Sequence, residues 1–122
     1  MMATLKGADF LAIQVKNIEA SKKFYTEVLG FRTASFSPPH AVVFDTSPIP
    51  FAIREPVVDL SQLKNPGTGI ALWFKCDDSV AYCKEIREKG AEIISSPEMG
   101  PFGMTFQFKD LDGYILTVHD KP

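Results

Sequence analysis

Apolar side chains alternate with small or polar ones over Phe10-Leu-Ala-Ile-Gln-Val15 and stop at Lys16-Asn17. A two-residue period of this kind marks a strand. From Ile18 to Leu29 the period lengthens, with Ile18, Ser21, Phe24, Tyr25, Val28 and Leu29 falling on one helical face. Asn17 is placed to accept the free N–H groups of the first turn, and Gly30 to stop the last one. The same sentence is written again from Ile70. Ile70–Cys76 reads as a strand closed by Asp77-Asp78, and Ser79–Lys89 as a helix with Val80, Cys83 and Ile86 on one face and Gly90 as its stop. The interval is 15 residues from Val15 to Gly30 (30 − 15) and 14 from Cys76 to Gly90 (90 − 76). The match implies an internal repeat.

The continuations are similar too. Phe31–Phe36, His40–Thr46 and Phe51–Glu55 predict three short strands, broken at Pro38-Pro39 and Ser47-Pro48. After Gly90, strands are expected at Glu92–Ser95, Thr105–Lys109 and Tyr114–His119, with breaks at Pro97–Gly103 and Asp110–Gly113. The expectation is one α+β domain over residues 1–122. It is built of two βαβββ modules, about 8–56 and 69–120, joined by a turn-rich linker over 57–68. Neither module can bury both faces of its sheet, so two curved mixed sheets around a central cleft, with helices outside, is the expected architecture.

Composition narrows the function. The 122 residues are 45% hydrophobic and 23% charged, ordinary globular usage. No apolar run reaches the ~18 residues of a membrane span. Met1–Gly7 shows no apolar core or cleavage site of a secretory signal, so a cytoplasmic location is expected. A net charge of −2 leaves no basic surplus for phosphates, which argues against nucleic acid. Two cysteines, Cys76 and Cys83, are too few for a disulfide framework and read as small core fillers in a reducing compartment. The 10 Phe imply a Phe-rich core or an aromatic cavity.

Asn17-Ile18-(x2)-Ser21-(x2)-Phe24-Tyr25-(x2)-Val28-Leu29-Gly30-Phe31 resembles the signature of the vicinal oxygen chelate superfamily, with Asn17 where the family has Asp. Pro101-Phe102-Gly103 and Asp110-Leu111-Asp112-Gly113 are similar to its Pro-Trp-Gly and Asp-Pro-Asp-Gly. The family holds glyoxalases, extradiol dioxygenases and bleomycin-resistance proteins. Its enzymes chelate a divalent metal with His and Glu on inward strand faces. By the resemblance those positions fall here on Phe10, on Ala71 (or Gly69), on Thr117 and near Ile53–Glu55. Phe, Ala and Thr are not usual ligands of a divalent ion, so no metal and no other cofactor is expected. A rebuilt site drawing on His40, His119 or Glu55 is the alternative.

Alternation separates the two faces of each strand. Leu11, Ile13 and Val15, like Ile70, Leu72, Phe74 and Cys76, should pack under the helices. Phe10, Gln14, Trp73, Lys75, Thr117 and His119 should face the cavity, joined by Phe102. Aromatic walls with a few polar handles suit a small, partly aromatic organic molecule, and mild acidity favours a cationic one. The reading is a binding protein of the antibiotic-sequestering type that acts as a homodimer and has no catalytic residues. One alternative is a lyase, isomerase or dioxygenase of the same superfamily, using displaced ligands or acid–base chemistry by His119 and Lys75. The other is an interaction module in which Phe10 and Trp73 fill a seam. No hydrolase elbow, phosphate loop or dinucleotide fingerprint occurs. Arg54 reads equally as a carboxylate binder or a surface residue.

Overall fold

The computed structural model describes residues 3–122, so the first two residues of the N-terminal stretch read above lie outside it. The fold is mixed α+β, and the chain divides into two compact units, one running through Val58 and one beginning at Asp59. No helix among the described residues is long and apolar enough to cross a membrane.

In the first unit, strand β1 (Leu11–Gln14) leads through Asn17 into helix α1 (Ile18–Lys23). The Asn17 side chain accepts from Ala20 N at 3.0 Å, as its cap role requires. The helix was expected to run unbroken to Leu29. Instead it widens into a π-helical turn over Phe24–Val28, where Leu29 N donates to Phe24 O, five residues back. The cause is local. The Thr26 hydroxyl donates to Lys22 O at 2.8 Å and competes with the backbone ladder for that carbonyl. Gly30 then takes the left-handed φ of 88° that ends the helix.

Strands β2 (Ala41–Phe44) and β3 (Phe51–Arg54) complete a sheet of order β1-β3-β2, with β1 and β3 parallel and β2 and β3 antiparallel. The strand expected at Phe31–Phe36 is reduced to an isolated bridge between Thr33 and Phe44. Past it, the Ser37 hydroxyl accepts from Val43 N at 3.0 Å, so a side chain takes the place of a ladder carbonyl. Pro38 and Pro39, which lack an N–H, follow at once. The core of this unit is aromatic. Tyr25 is wholly buried, with ring centroids of Phe24, Phe31, Phe44 and Phe51 all 5.6–6.0 Å away.

The second unit opens on a short 3₁₀ turn at Leu60–Gln62, capped by Asp59, so the expected linker carries structure of its own. Strand β4 (Leu72–Lys75) leads through the Asp78 cap to helix α2 (Ser79–Glu88). Cys83 and Ile86 are buried as expected, but Val80 is half-exposed and Ser79 takes the place inside. Strands β5 (Glu92–Gly100), β6 (Gly103–Lys109) and β7 (Ile115–His119) complete a mixed sheet of order β4-β7-β6-β5. Pro97 was expected to break the chain. Strand β5 instead runs through it, because β5 is an edge strand and its register shifts on either side of Ser95 let the proline sit outside the ladder.

Candidate functional site

The open face of the second sheet carries most of the residues singled out above. Register sets Trp73 opposite Thr117, Thr117 opposite Gln107, and Gln107 opposite Ser95, so one row crosses all four strands. The Gln107 side-chain amide donates to the Thr117 hydroxyl at 3.1 Å, which satisfies a threonine that is otherwise buried. Two residues along, on the same face, Lys75 stands opposite His119. Trp73, Phe102 and His119 form an edge-to-face triangle, with centroids 5.6 Å apart for Trp73–Phe102, 5.5 Å for Trp73–His119 and 6.1 Å for Phe102–His119. Trp73 is 48% and Phe102 47% exposed, so the triangle presents ring surface rather than filling a core. A hollow of about 320 Å³ lies over this face, between Trp73, Phe102, Met99 and the Thr117–Gln107 pair. His119 Nδ1 lies 2.9 Å from Lys121 O; a carbonyl only accepts, so Nδ1 carries the proton and Nε2 is the free nitrogen.

Phe102 owes its position to the turn between β5 and β6. Gly100 and Gly103 pair across the turn, leaving Pro101-Phe102 at the tip. Gly103 has φ 88°, and a Cβ there would stand 2.1 Å from Asp120 Oδ1. That carboxylate accepts from Met104 N at 2.9 Å, while Lys121 N donates to Phe102 O at 3.0 Å. The chain after β7 thus fastens the tip that offers the phenyl ring.

The open face of the first sheet is different. Ala12, Ala52 and Val43 form one cross-strand row, and Gln14, Arg54 and Ala41 the next. Three alanines leave the floor low, and the hollow above it measures about 550 Å³. Phe10 lines it, apart from the second-sheet residues with which it was expected to share a cavity. Gln14 is not available as a polar handle from its carbonyl side, because Oε1 accepts from Val57 N at 2.8 Å. The rim brings together three residues that the sequence reading considered separately: His40 Nδ1 meets Glu55 Oε2 at 2.5 Å, and Arg54 stands beside them. Phe10 and Gln14 thus belong to one face, and Trp73, Lys75, Phe102, Thr117 and His119 to another.

Neither thiol is primed for chemistry. Burial pushes both Cys76 and Cys83 above the ordinary thiol value. Cys83 is the core filler expected; Cys76 is only half-buried.

Residues 7–118 match the family model for the Glyoxalase/Bleomycin resistance protein/Dioxygenase superfamily. The chain belongs to that superfamily. A relative in Bacillus subtilis (strain 168), the uncharacterized protein YetH, is 24% identical over 119 residues, covering 95% of this chain and 99% of that one. Among solved structures, TnmS3, an antibiotic binding protein from Streptomyces sp. CB03234, superposes with a TM-score of 0.74 at 22% identity over 99% of this chain and 100% of that one. A glyoxalase-related enzyme from Fulvimarina pelagi does so with a TM-score of 0.75 at 18% identity, over 97% and 90%. At these identities the likeness establishes the fold.

The superfamily's enzymes raise the question of a metal. The positions that the resemblance assigns to ligands hold Phe10, Ala71 and Thr117, and the Thr117 hydroxyl is already bonded to Gln107. Among the described residues no three His, Cys, Asp or Glu side chains come together to hold an ion. Glu55, the carboxylate nearest the fourth position, is engaged by His40. This donor set does not fit a divalent metal.

Proposed function

We propose that this member of the superfamily binds a small, partly aromatic organic molecule on the open face of its second sheet and releases it unaltered, without a metal. The observation that carries the reading is the Trp73–Phe102–His119 triangle: half-exposed ring surface in edge-to-face contact, beside the bonded Thr117–Gln107 pair. Ring faces take planar ligands by stacking, and a cationic substituent gains further from the indole. Lys75 and the free nitrogen of His119 supply polar contacts at one end. The fold shared with an antibiotic binding protein supports the same reading. We further propose that two copies pair in solution and that the protein works in the cytoplasm.

Equilibrium dialysis against planar aromatic antibiotics, with mass analysis of the recovered compound, tests this. Retention of at least one compound at unchanged mass is expected, and stoichiometric Ni, Zn, Fe or Mn should not alter it. Conversion of the compound, or retention that depends on added metal, would replace the binder with an enzyme. Light scattering should give twice the chain mass.

A further inference from the structure

Two corners of the Trp73–Phe102–His119 triangle hang on one residue. Lys121 N donates to Phe102 O at 3.0 Å, and Lys121 O accepts from His119 Nδ1 at 2.9 Å. Lys121 lies past the last paired residue of β7, so the sheet ladder does not fix it. The side chain before it does. Asp120 Oδ1 accepts from Met104 N at 2.9 Å, and Asp120 Oδ2 accepts from Ser79 N at 3.4 Å. Met104 belongs to the strand that leaves the Phe102 turn, and Ser79 to the first turn of α2, whose backbone donors have no partner within the helix. Asp78 caps Ala81 N at 3.0 Å and leaves Ser79 N to be met from elsewhere. A carboxylate suits this place, because the helix dipole favours negative charge there and each oxygen can accept a different N–H. The missing Cβ of Gly103 leaves the space in which Oδ1 sits.

We infer that Asp120 is the positioning residue of the ring face. Helix α2 covers the side of the sheet on which Tyr82 meets Phe106, opposite the face of Gln107 and Thr117. The Asp120 carboxylate joins the start of that helix to the turn that carries Phe102 and to the residue that orients His119. It acts through those groups and not by touching a ligand. Rings whose mutual geometry is set beforehand bind a planar molecule more tightly than rings that must be ordered on binding. The effect on binding rests on the function proposed above; the effect on ring geometry does not.

Near-ultraviolet circular dichroism of the full chain, read well below its melting temperature, reports ring geometry with no ligand present, and the single tryptophan supplies its own band. Asp120→Ala removes both bonds and should cut the Trp73 band about twofold as the edge-to-face contacts loosen. Asp120→Asn keeps one accepting oxygen for Met104 N and sets its amide against Ser79 N, donor to donor, so its loss should be smaller. Asp78→Ala weakens the same helix without touching Lys121, and its band should match wild type. For an aromatic compound that the wild type retains, Asp120→Ala should lose about tenfold in affinity, and adding it to Phe102→Ala should cost little more, as expected of coupled residues. A wild-type band in Asp120→Ala, even with a lowered melting temperature, would make Asp120 a structural clasp only and overturn the inference. An equal loss of the band in Asp78→Ala, undiminished affinity in Asp120→Ala, or fully additive losses with Phe102→Ala would overturn it too. Should Asp120→Ala fail to fold, the band of Asp120→Asn decides in the same way. If no aromatic compound binds the wild type, the proposed function falls while the band still decides the role of Asp120.

Discussion

The two units start from the same local plan and end with opposite surfaces. Each runs strand, Asx-capped helix and left-handed glycine, at Asn17 and Gly30 in one and Asp78 and Gly90 in the other. Yet the first hides its aromatic rings around Tyr25 and leaves alanines and a charged rim on its open face. The second buries Cys83, Ile86, Phe106 and Leu116 and sets Trp73, Phe102 and His119 outside. Residues on the helix side of each sheet answer to packing, which a repeat must keep in both copies. Residues on the open side answer to whatever lies against them, and there the copies are free to diverge.

The sharpest way to break this comparison is to attack the two cores. Tyr25→Ala removes the hub of the aromatic cluster and should cost about 4 kcal/mol, whereas Ile86→Ala in the second unit should cost about 3 kcal/mol. Urea unfolding at fixed pH reads both. Equal and small losses would mean that the first unit does not depend on its aromatic core. Next comes Gly103→Ala, where the new Cβ meets the Asp120 carboxylate at φ 88°. A loss of about 3 kcal/mol is expected from strain and the disturbed bond to Met104 N, and Trp73 emission should shift as Phe102 moves. Phe102→Ala should behave in the reverse way, changing stability by less than about 1 kcal/mol because the ring is half-exposed, while aromatic ligands lose tenfold in affinity.

Asn17→Ala and Asp78→Ala test the shared plan itself. Each removes one side-chain cap, at 3.0 Å in both helices, and each should cost about 1 kcal/mol. The smallest effect is a pH dependence confined to the second unit. Burial raises the Tyr82 hydroxyl above its ordinary 10.0, assisted by Cys76 and Glu85, and burial also raises both thiols above 9.0. A raised acid stabilises the fold below its unfolded value, and the benefit drains away as the pH climbs, since the unfolded chain ionises first. Urea midpoints should therefore fall from about pH 9 upward, and Tyr82→Phe should flatten the part of the fall above pH 10.

The elements that could be read from the chain are those fixed by neighbours in sequence. The Asx caps, the glycine stops and the strand faces of β1, β4 and β7 depend only on spacing, and they lie where alternation puts them, save for Ile70, which precedes β4 and is exposed rather than packed under the helix. The departures come from single polar groups competing for the backbone. Thr26 converts helix to π turn, and Ser37 supplants the ladder beyond Thr33. The residues of the charged rim were named from the sequence, but their pairing was out of reach for another reason. His40 and Glu55 meet because β2 and β3 pair Ala41 with Arg54, a register the sequence does not announce. Gln107, by contrast, was legible. Thr105-Phe106-Gln107-Phe108-Lys109 alternates as cleanly as β1 and sets Gln107 on the face of Thr117.

The central claim is that the exposed ring surface of the second unit is a ligand platform. Its most direct test uses the single tryptophan as the reporter, titrating the protein with planar aromatic antibiotics and following Trp73 emission. The account predicts a saturable change for at least one compound, lost in Phe102→Ala. A flat titration across cationic and neutral members of the panel would contradict it and leave the Trp73 face as a surface where protein, rather than a small molecule, is bound.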